Sequence, residues 1–375
     1  MVHLLLSLIT AFVVVLLSTP ALIKVAFLKR LFDEPGDARK LHKRVVPTIG
    51  GIIIFAATLF AFSLWFPYDQ ENHALLSRWT QDFQYVVACM LILFFVGVKD
   101  DIIGTAPMKK LAAHVIVGMI LVLMAEVRIR SLHGLFGVNQ LPLGISIFLS
   151  LFVYVVIVNA FNLIDGVDGL AAGVGMIGGL AFGVLFYNGG DTVMGMLGFS
   201  LAGALGAFLI FNFSPAKIFM GDSGSLSIGL VMSILAIKFV EFVPAQDTPV
   251  LVQQMFTPVV AMGIICYALS DTLRIFIWRA ARGVSPFSAD RNHLHHLLID
   301  SGWSHRKTVL WIYTATLSVI GVAVATRLLP VTISFAITGC YTCLLIMIPW
   351  LIKRSHLKKK GAENKTRRLN PLEAA

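Results

Sequence analysis

Four short segments carry polar residues that stand out against apolar surroundings. The first, Val96 to Thr105, holds Asp100 and Asp101 side by side. Adjacent residues on a helix point about 100° apart. The two carboxylates therefore cannot face one ion in the same way, and different roles are expected of them. An equally weighted alternative is that they simply end an apolar span as ordinary polar residues. The second segment, Asn159 to Leu170, places Asn159, Asn162 and Asp165 at every third position. Successive members step by about 60° and share one helix face. Gly166 and Gly169 let the chain leave the helix and return Asp168 toward the same point. Amide and carboxylate oxygens that converge in this way suit a hard cation such as Mg²⁺. Interhelical hydrogen bonding would explain the asparagines, but it accounts poorly for two aspartates with two glycines.

The third segment, Lys217 to Leu226, contains Met220-Gly-Asp-Ser-Gly-Ser225. Asp222 or Ser223 could cap a following helix, and the flanking glycines would let phosphate oxygens reach free backbone N–H groups at its start. The Gly-Lys-Ser/Thr ending of a nucleotide-hydrolase phosphate loop is missing. Taken alone, the helix cap is the favoured reading. The fourth segment lies in a long loop from Trp278 to Arg306, where His293, His295 and His296 fill three of four positions near Arg279, Arg282 and Arg291. A zinc site would need Cys or Glu at ligand spacing and no surrounding arginines. Arginine with histidine suits an anion such as a diphosphate, met by two-pronged guanidinium contacts.

The rest of the chain must position these groups, and its composition says in what medium. Of 375 residues, 57% are hydrophobic and 13% charged, about half the charged share of an ordinary soluble domain. Disordered, fibrous and disulfide-stapled classes are excluded on the same ground. Cys89, Cys266, Cys340 and Cys343 sit in or beside apolar runs, where packing is their expected use. A transmembrane helix needs about 20 mostly apolar residues. Apolar runs at 2–26, 48–66, 83–98, 111–126, 144–163, 169–187, 192–212, 226–242, 255–277, 308–326 and 332–352 predict an all-α integral membrane protein of about eleven spans. Residues 1–352 are expected to form one polytopic domain, with active-site loops at 99–110, 164–169, 213–225 and 278–307, and 353–375 a basic tail on anionic lipid.

Lysine and arginine fix the orientation. Segments 24–44, 99–110, 213–225, 274–307 and 353–368 together hold 25 of the 30 basic residues, leaving Arg78, Arg128, Arg130, Lys238 and Arg327 for the other side. Positive charge marks the cytoplasm, so the N-terminus is expected outside and the C-terminus inside. The net charge of +10 is thus a topology signal. Its spread over membrane-edge loops, without interleaved aromatic residues, argues against nucleic acid as a partner. In this topology Asp100, Asp101, Asp165, Asp168, Asp222, Asp271 and Asp290 all fall at the cytoplasmic ends of spans. Transporters tend to place ionisable groups near the midplane instead. A set gathered at one face suits a site that takes a water-soluble reactant from the cytosol and a lipid-borne one from the bilayer.

At these segments the chain resembles the polyprenyl-phosphate N-acetylhexosamine-1-phosphate transferases. The likeness runs through Pro47-Thr-Ile-Gly-Gly51, Asp100-Asp101, Asn159 to Leu170, Phe219-Met-Gly-Asp-Ser-Gly-Ser225 and Ser285-Pro-Phe-Ser-Ala-Asp-Arg-Asn-His-Leu-His-His296. The last is similar to a His-Ile-His-His signature of one branch, with Leu294 in place of isoleucine. The resemblance implies transfer of N-acetylglucosamine-1-phosphate from UDP-N-acetylglucosamine to undecaprenyl phosphate, releasing UMP, with Mg²⁺ or Mn²⁺. It implies a bacterial inner-membrane enzyme, usually dimeric, that starts O-antigen, common-antigen or cell-wall polymer assembly. By the same resemblance Asn162 and Asp222 would hold the metal. Asp100 would act as base on the lipid phosphate or as a second metal contact, supported by Asp101, and Asp165 and Asp168 would position the nucleotide-sugar. His293, His295, His296 and Arg279 would meet the sugar diphosphate, with Asn159 and Arg291 as further substrate contacts.

Overall fold

The computed structural model describes residues 1–33, 45–67, 73–283 and 293–369, with side chains described outside 73–79 and 358–369. The chain begins with α1 (Val2–Leu28), followed by β1 (Phe32–Asp33) and β2 (Val46–Pro47), a short antiparallel pair that joins Phe32 to Pro47 and Asp33 to Val46. Then come α2 (Gly50–Leu64), α3 (His73–Ile103) and α4 (Pro107–Met119), the last running into a wider π-helical turn over Ile120–Met124. A small hairpin of β3 (Ser131–Leu135) and β4 (Val138–Gln140) precedes four long helices. These are α5 (Leu143–Leu163), α6 (Leu170–Gly189), α7 (Thr192–Asn212) and α8 (Gly221–Glu241). After the one-turn α9 (Val250–Gln253) come α10 (Pro258–Ile264), α11 (Cys266–Ala280), α12 (Leu294–Asp300), α13 (His305–Ala325) and α14 (Val331–Leu369).

Each of the eleven apolar runs lies on a helix, as expected of a chain whose backbone polar groups must be satisfied within the bilayer. Among the described residues, eight helices are long and apolar enough to cross a membrane, and nine if α10 and α11 count as one span. Two runs depart from a plain span. Helix α2 has 15 residues, or roughly 22 Å at 1.5 Å per residue, short of the ~30 Å hydrocarbon layer. The run at 255–277 breaks at Ile265, where α10 and α11 meet at 84°. The break turns the half that bears Asp271, Arg274 and Arg279 away from the line of the apolar half.

The outer helices are inside-out versions of soluble amphipathic ones. On α1, Leu4, Ser7, Ala11, Val15 and Thr19 are buried while Leu5, Ile9, Val13 and Leu17 are exposed. The apolar stripe therefore faces lipid and small or hydroxylated residues face protein. Helix α8 is the opposite case. It is walled by α2, α3, α5, α6, α7 and α10, and nearly all of its apolar length is buried. Where α6 packs against α7, a β-carbon on Gly198 would lie 2.7 Å from the Gly179 carbonyl oxygen, so the two backbones meet at a distance that side chains would forbid. At the far end of α8, Lys238 reaches both carboxylate oxygens of Asp82 on α3, at 2.9 and 3.0 Å. That end is roughly 24 Å from Asp222, at 1.5 Å per residue.

Candidate active site

The start of α8 is held by two other parts of the chain. The strand-like Pro47–Gly51 segment lies along residues 219–220: Phe219 N–H donates to the Pro47 carbonyl at 2.7 Å, Gly50 N–H to Phe219 at 3.0 Å and Gly51 N–H to Met220 at 2.7 Å. From α3, the Asp101 carboxylate accepts the backbone N–H of Asp222 at 2.6 Å and of Ser223 at 3.1 Å. This corrects the cap expected from the sequence, because neither Asp222 nor Ser223 caps its own helix. It also corrects the expectation that these N–H groups wait for phosphate, since Asp101 already occupies them. Gly221 makes the arrangement possible. Its φ of +71° is a left-handed conformation that favours glycine, and a β-carbon there would sit 2.3 Å from the Thr48 carbonyl oxygen and 2.6 Å from Asp101 Oδ1.

With Asp101 committed to the backbone, Asp100 points elsewhere. The Lys110 ammonium, one turn into α4, lies 3.5 Å from Asp100 Oδ2 and also pairs with Asp222 Oδ2. The other Asp222 oxygen accepts the Asn162 amide at 2.9 Å, and that same amide nitrogen is 2.9 Å from Ser225 Oγ. Helices α3, α4, α5 and α8 thus bring Asp100, Lys110, Asn162 and Asp222 to one spot. Asp100 and Asp101 face different partners, and Asn162 meets Asp222. Lys110 was missed in the sequence, where it reads as one more basic residue at a membrane edge. A signal was available: a cation in the first turn of a helix opposes the helix dipole, which calls for a compensating anion.

The loop from Ile164 to Gly169 forms the next wall. Gly169, at φ +82°, makes the break before α6, and Asn212 fastens it: its side-chain oxygen accepts Gly169 N–H and its amide donates to Ile218 O, each at 2.9 Å. Asp168 accepts the Ala216 N–H at 3.1 Å and lies 3.8 Å from His305 Nδ1. Burial acts to raise the Asp168 pKa, but the nearby His305 imidazole and the Ala216 hydrogen bond outweigh it and hold the group below the usual carboxylate range. Asp165 is pushed well above that range by burial, with the charges of Asp101 and Asp168 adding to the effect. Asn159 behaves differently from its two partners on the helix face: its amide donates to the Val155 carbonyl one turn back at 2.8 Å.

The histidines close the site from the other side. A β-carbon on Gly166 would stand 3.3 Å from His295 Nε2 and 3.9 Å from His296 Nε2, so the second and fourth segments touch. His293 and His295 stack at 5.4 Å, and His295 and His296 lie 4.4 Å apart. Burial lowers the His295 pKa well below its ordinary value, which keeps that imidazole neutral. Their anchor is Asp271, wholly buried at 0% exposure. It accepts from His293 Nδ1 at 2.9 Å, from the Leu294 backbone at 3.0 Å and from Arg274 at 3.1 Å. Tyr267 adds a 3.3 Å contact to His295 Nδ1. Arg279 is buried in the last turn of α11, whereas Arg291 lies outside the described residues.

The acidic cluster has the donor chemistry for a divalent cation. Asp100 and Asp222 attract a cation already, because both pair with the Lys110 ammonium. Asp222 and the amide oxygen available on Asn162 are hard ligands of the kind Mg²⁺ takes, one or two from protein with the remainder from water and phosphate. Among the described residues there is no cage of three or more His, Cys, Asp or Glu side chains.

Comparison with known proteins places the chain among membrane transferases. Residues 83–240, which include Asp100, Asn162 and Asp222, match the family model described as glycosyl transferase family 4. The undecaprenyl-phosphate alpha-N-acetylglucosaminyl 1-phosphate transferase of Yersinia pestis is 30% identical over 306 residues, covering 80% of this chain and 78% of the relative. The enzyme of the same description from Escherichia coli K12 gives the same identity and coverage. The decaprenyl-phosphate N-acetylglucosaminephosphotransferase of Mycolicibacterium smegmatis is 34% identical over 296 residues, 73% of this chain and 70% of the relative.

Proposed function

Because this chain belongs to the glycosyl transferase family 4 group of polyprenyl-phosphate N-acetylhexosamine-1-phosphate transferases, we propose that it moves N-acetylglucosamine-1-phosphate from UDP-N-acetylglucosamine to undecaprenyl phosphate, releasing UMP. It is a membrane-embedded glycosyl-1-phosphate transferase. The observation that carries the finer reading is the meeting of Asp100, Lys110, Asn162 and Asp222 at one end of the bundle, beside the histidine segment. The excess of basic residues at that end supports a cytoplasmic site, an outside N-terminus and a place in the bacterial inner membrane as the first step of a surface polymer.

The chemistry follows from charge. Both reactants are anions, so transfer between them needs neutralisation and alignment more than covalent help. Asp222 and Asn162 would hold Mg²⁺ or Mn²⁺, which supplies positive charge to phosphate oxygens when bound. Lys110 keeps the two carboxylates together and offers an ammonium at the same spot. Asp100 would take the proton of the lipid phosphate. Much of that phosphate is already ionised at neutral pH, its second pKa being about 6, so the base adds modestly to the rate. His293, His295, His296 and Arg279 would receive the sugar diphosphate, with Asp165 and Asp168 shaping the wall between. Asp271 would fix the His293 ring so that its second nitrogen faces the donor.

The test is incubation of the purified protein with undecaprenyl phosphate, Mg²⁺ and either UDP-N-acetylglucosamine or UDP-N-acetylgalactosamine carrying a labelled β-phosphate. Formation of UMP with the label in the lipid product is expected, and faster with the glucosamine donor. Release of UDP would mean a plain sugar transfer, and no turnover would favour a transporter. A second result concerns the residue missed in the sequence. Lys110→Gln is expected to lower kcat by about a hundredfold, through loss of one preorganised charge, with the melting temperature nearly unchanged. Full activity in that variant would remove Lys110 from the machinery.

A further inference from the structure

A cavity of about 440 Å³ lies between α11, α12 and α14, and it shares no lining residue with the acidic cluster. Arg274, Lys353 and Arg354 reach it from two helices, and Trp278, Trp350 and Leu357 form its apolar walls. We propose that this cavity binds the phosphate of an anionic bilayer phospholipid.

Charge is the first argument. Three cations, from two helices, face one space. Arg274 shares Asp271 with His293 and the Leu294 backbone. Lys353 pairs with Asp300 at 3.5 Å, a carboxylate that is 43% exposed. Arg354 rests over the Trp350 ring at 5.4 Å. A phosphodiester would bring negative charge to the point where the three cations converge and take two-pronged contacts from an arginine.

Position is the second argument. Lys353 and Arg354 stand where the apolar stretch of α14 ends, the level at which phospholipid headgroups begin. Indole rings favour the same level. Just before it, Leu344, Met347 and Leu351 form an exposed apolar stripe at spacings of three and four, a surface for acyl chains that continues up to the cavity mouth. A soluble phosphate would have no use for the tryptophan walls or for that stripe, so a lipid is the better-matched ligand.

The site also has a route inward. Arg274 lines the cavity and donates to Asp271 at 3.1 Å, and Asp271 holds His293 and the start of α12. A phosphate that draws on Arg274 therefore bears on the segment that presents the histidines. The proposal stands apart from the transfer reaction, because lipid binding is read without turnover.

The experiment uses the purified full chain in neutral detergent at 0.3 M salt, where loose attraction to the basic tail is screened. Dioleoyl phosphatidylglycerol, dioleoyl phosphatidylcholine and inorganic phosphate are titrated separately. Binding is read from the melting temperature and from lipid retained in native mass spectrometry. Phosphatidylglycerol is expected to raise the melting temperature by several degrees and to remain bound, phosphatidylcholine and phosphate to do neither, and Lys353→Gln/Arg354→Gln to weaken the response at least tenfold. Should the double variant not purify, Arg354→Gln alone, at an exposed position, is expected to weaken it about threefold. An equal response to phosphatidylcholine, an equal response to inorganic phosphate, loss of the response at 0.3 M salt, or undiminished binding by the variants would each overturn the assignment.

Discussion

Asp222→Ala is expected to abolish measurable UMP release, a loss of about a thousandfold or more, while Asp100→Ala loses about tenfold to a hundredfold. The difference follows from what each carboxylate touches. Asp222 is the hub: one oxygen pairs with Lys110 and the other takes the Asn162 amide, itself shared with Ser225. Removing it deletes the charged member of the proposed metal pair and leaves the Lys110 ammonium, only 17% exposed, with Asp100 alone at 3.5 Å. Loss of one preorganised electrostatic element costs about 10²–10³, and loss of the ion's carboxylate ligand adds to it. Asp100 contributes a proton acceptor to a phosphate that is largely ionised already. Steady-state UMP release across a Mg²⁺ titration separates the cases. Asp222→Ala should stay inactive at every Mg²⁺ concentration, and recovery at high Mg²⁺, or a loss no greater than that of Asp100→Ala, would displace Asp222 from the metal.

Gly97→Ala is expected to cost about a hundredfold in turnover and several degrees of melting temperature, although Gly97 carries no functional group. A β-carbon at this position on α3 would lie 2.4 Å from Ser223 Cα and 2.6 Å from Ser223 N. Backbone atoms cannot swing aside, so α3 and the start of α8 must separate by the better part of an ångström. That seam is where Asp101 holds the Asp222 and Ser223 N–H groups. Overpacking of this kind costs about 1–3 kcal/mol, and a misplacement of about 1 Å near reacting groups costs about 10² in rate. Thermal melting and UMP release, measured on the same preparation, check both parts. Wild-type kinetics in Gly97→Ala would mean that the α3–α8 seam does not set the position of Asp222.

The membrane class was legible because the bilayer imposes it locally: a run of about 20 apolar residues must be helical to satisfy its own backbone. Every such run is helical here. The bend at Ile265 was hidden, because apolarity at 255–277 is continuous through it and nothing local demands 84°. Within the site, helix periodicity was enough to separate Asp100 from Asp101, whereas the pairing of Asn162 with Asp222, 60 positions apart, followed only from the family resemblance. Periodicity put Asn159 on the same face, but an amide one turn further into the helix finds the Val155 carbonyl first. Asp271 was noted only as one more carboxylate at a cytoplasmic end. Its partners His293 and Leu294 are more than 20 positions away in the chain, and no spacing rule spans that distance. The cap on α8 was misassigned for the same reason, since Asp101 is 121 positions from the N–H it accepts.

The enclosure of α8 bears on biogenesis. Of the helices that wall it, α2, α3, α5, α6 and α7 precede it in the chain and only α10 follows. As the ribosome delivers residues 221–241, the groove that will receive them is already outlined by segments made earlier. The serines at 223, 225, 227 and 233, all buried in the folded chain, would then meet protein instead of lipid. Five of the six helices that enclose α8 are thus synthesised before it.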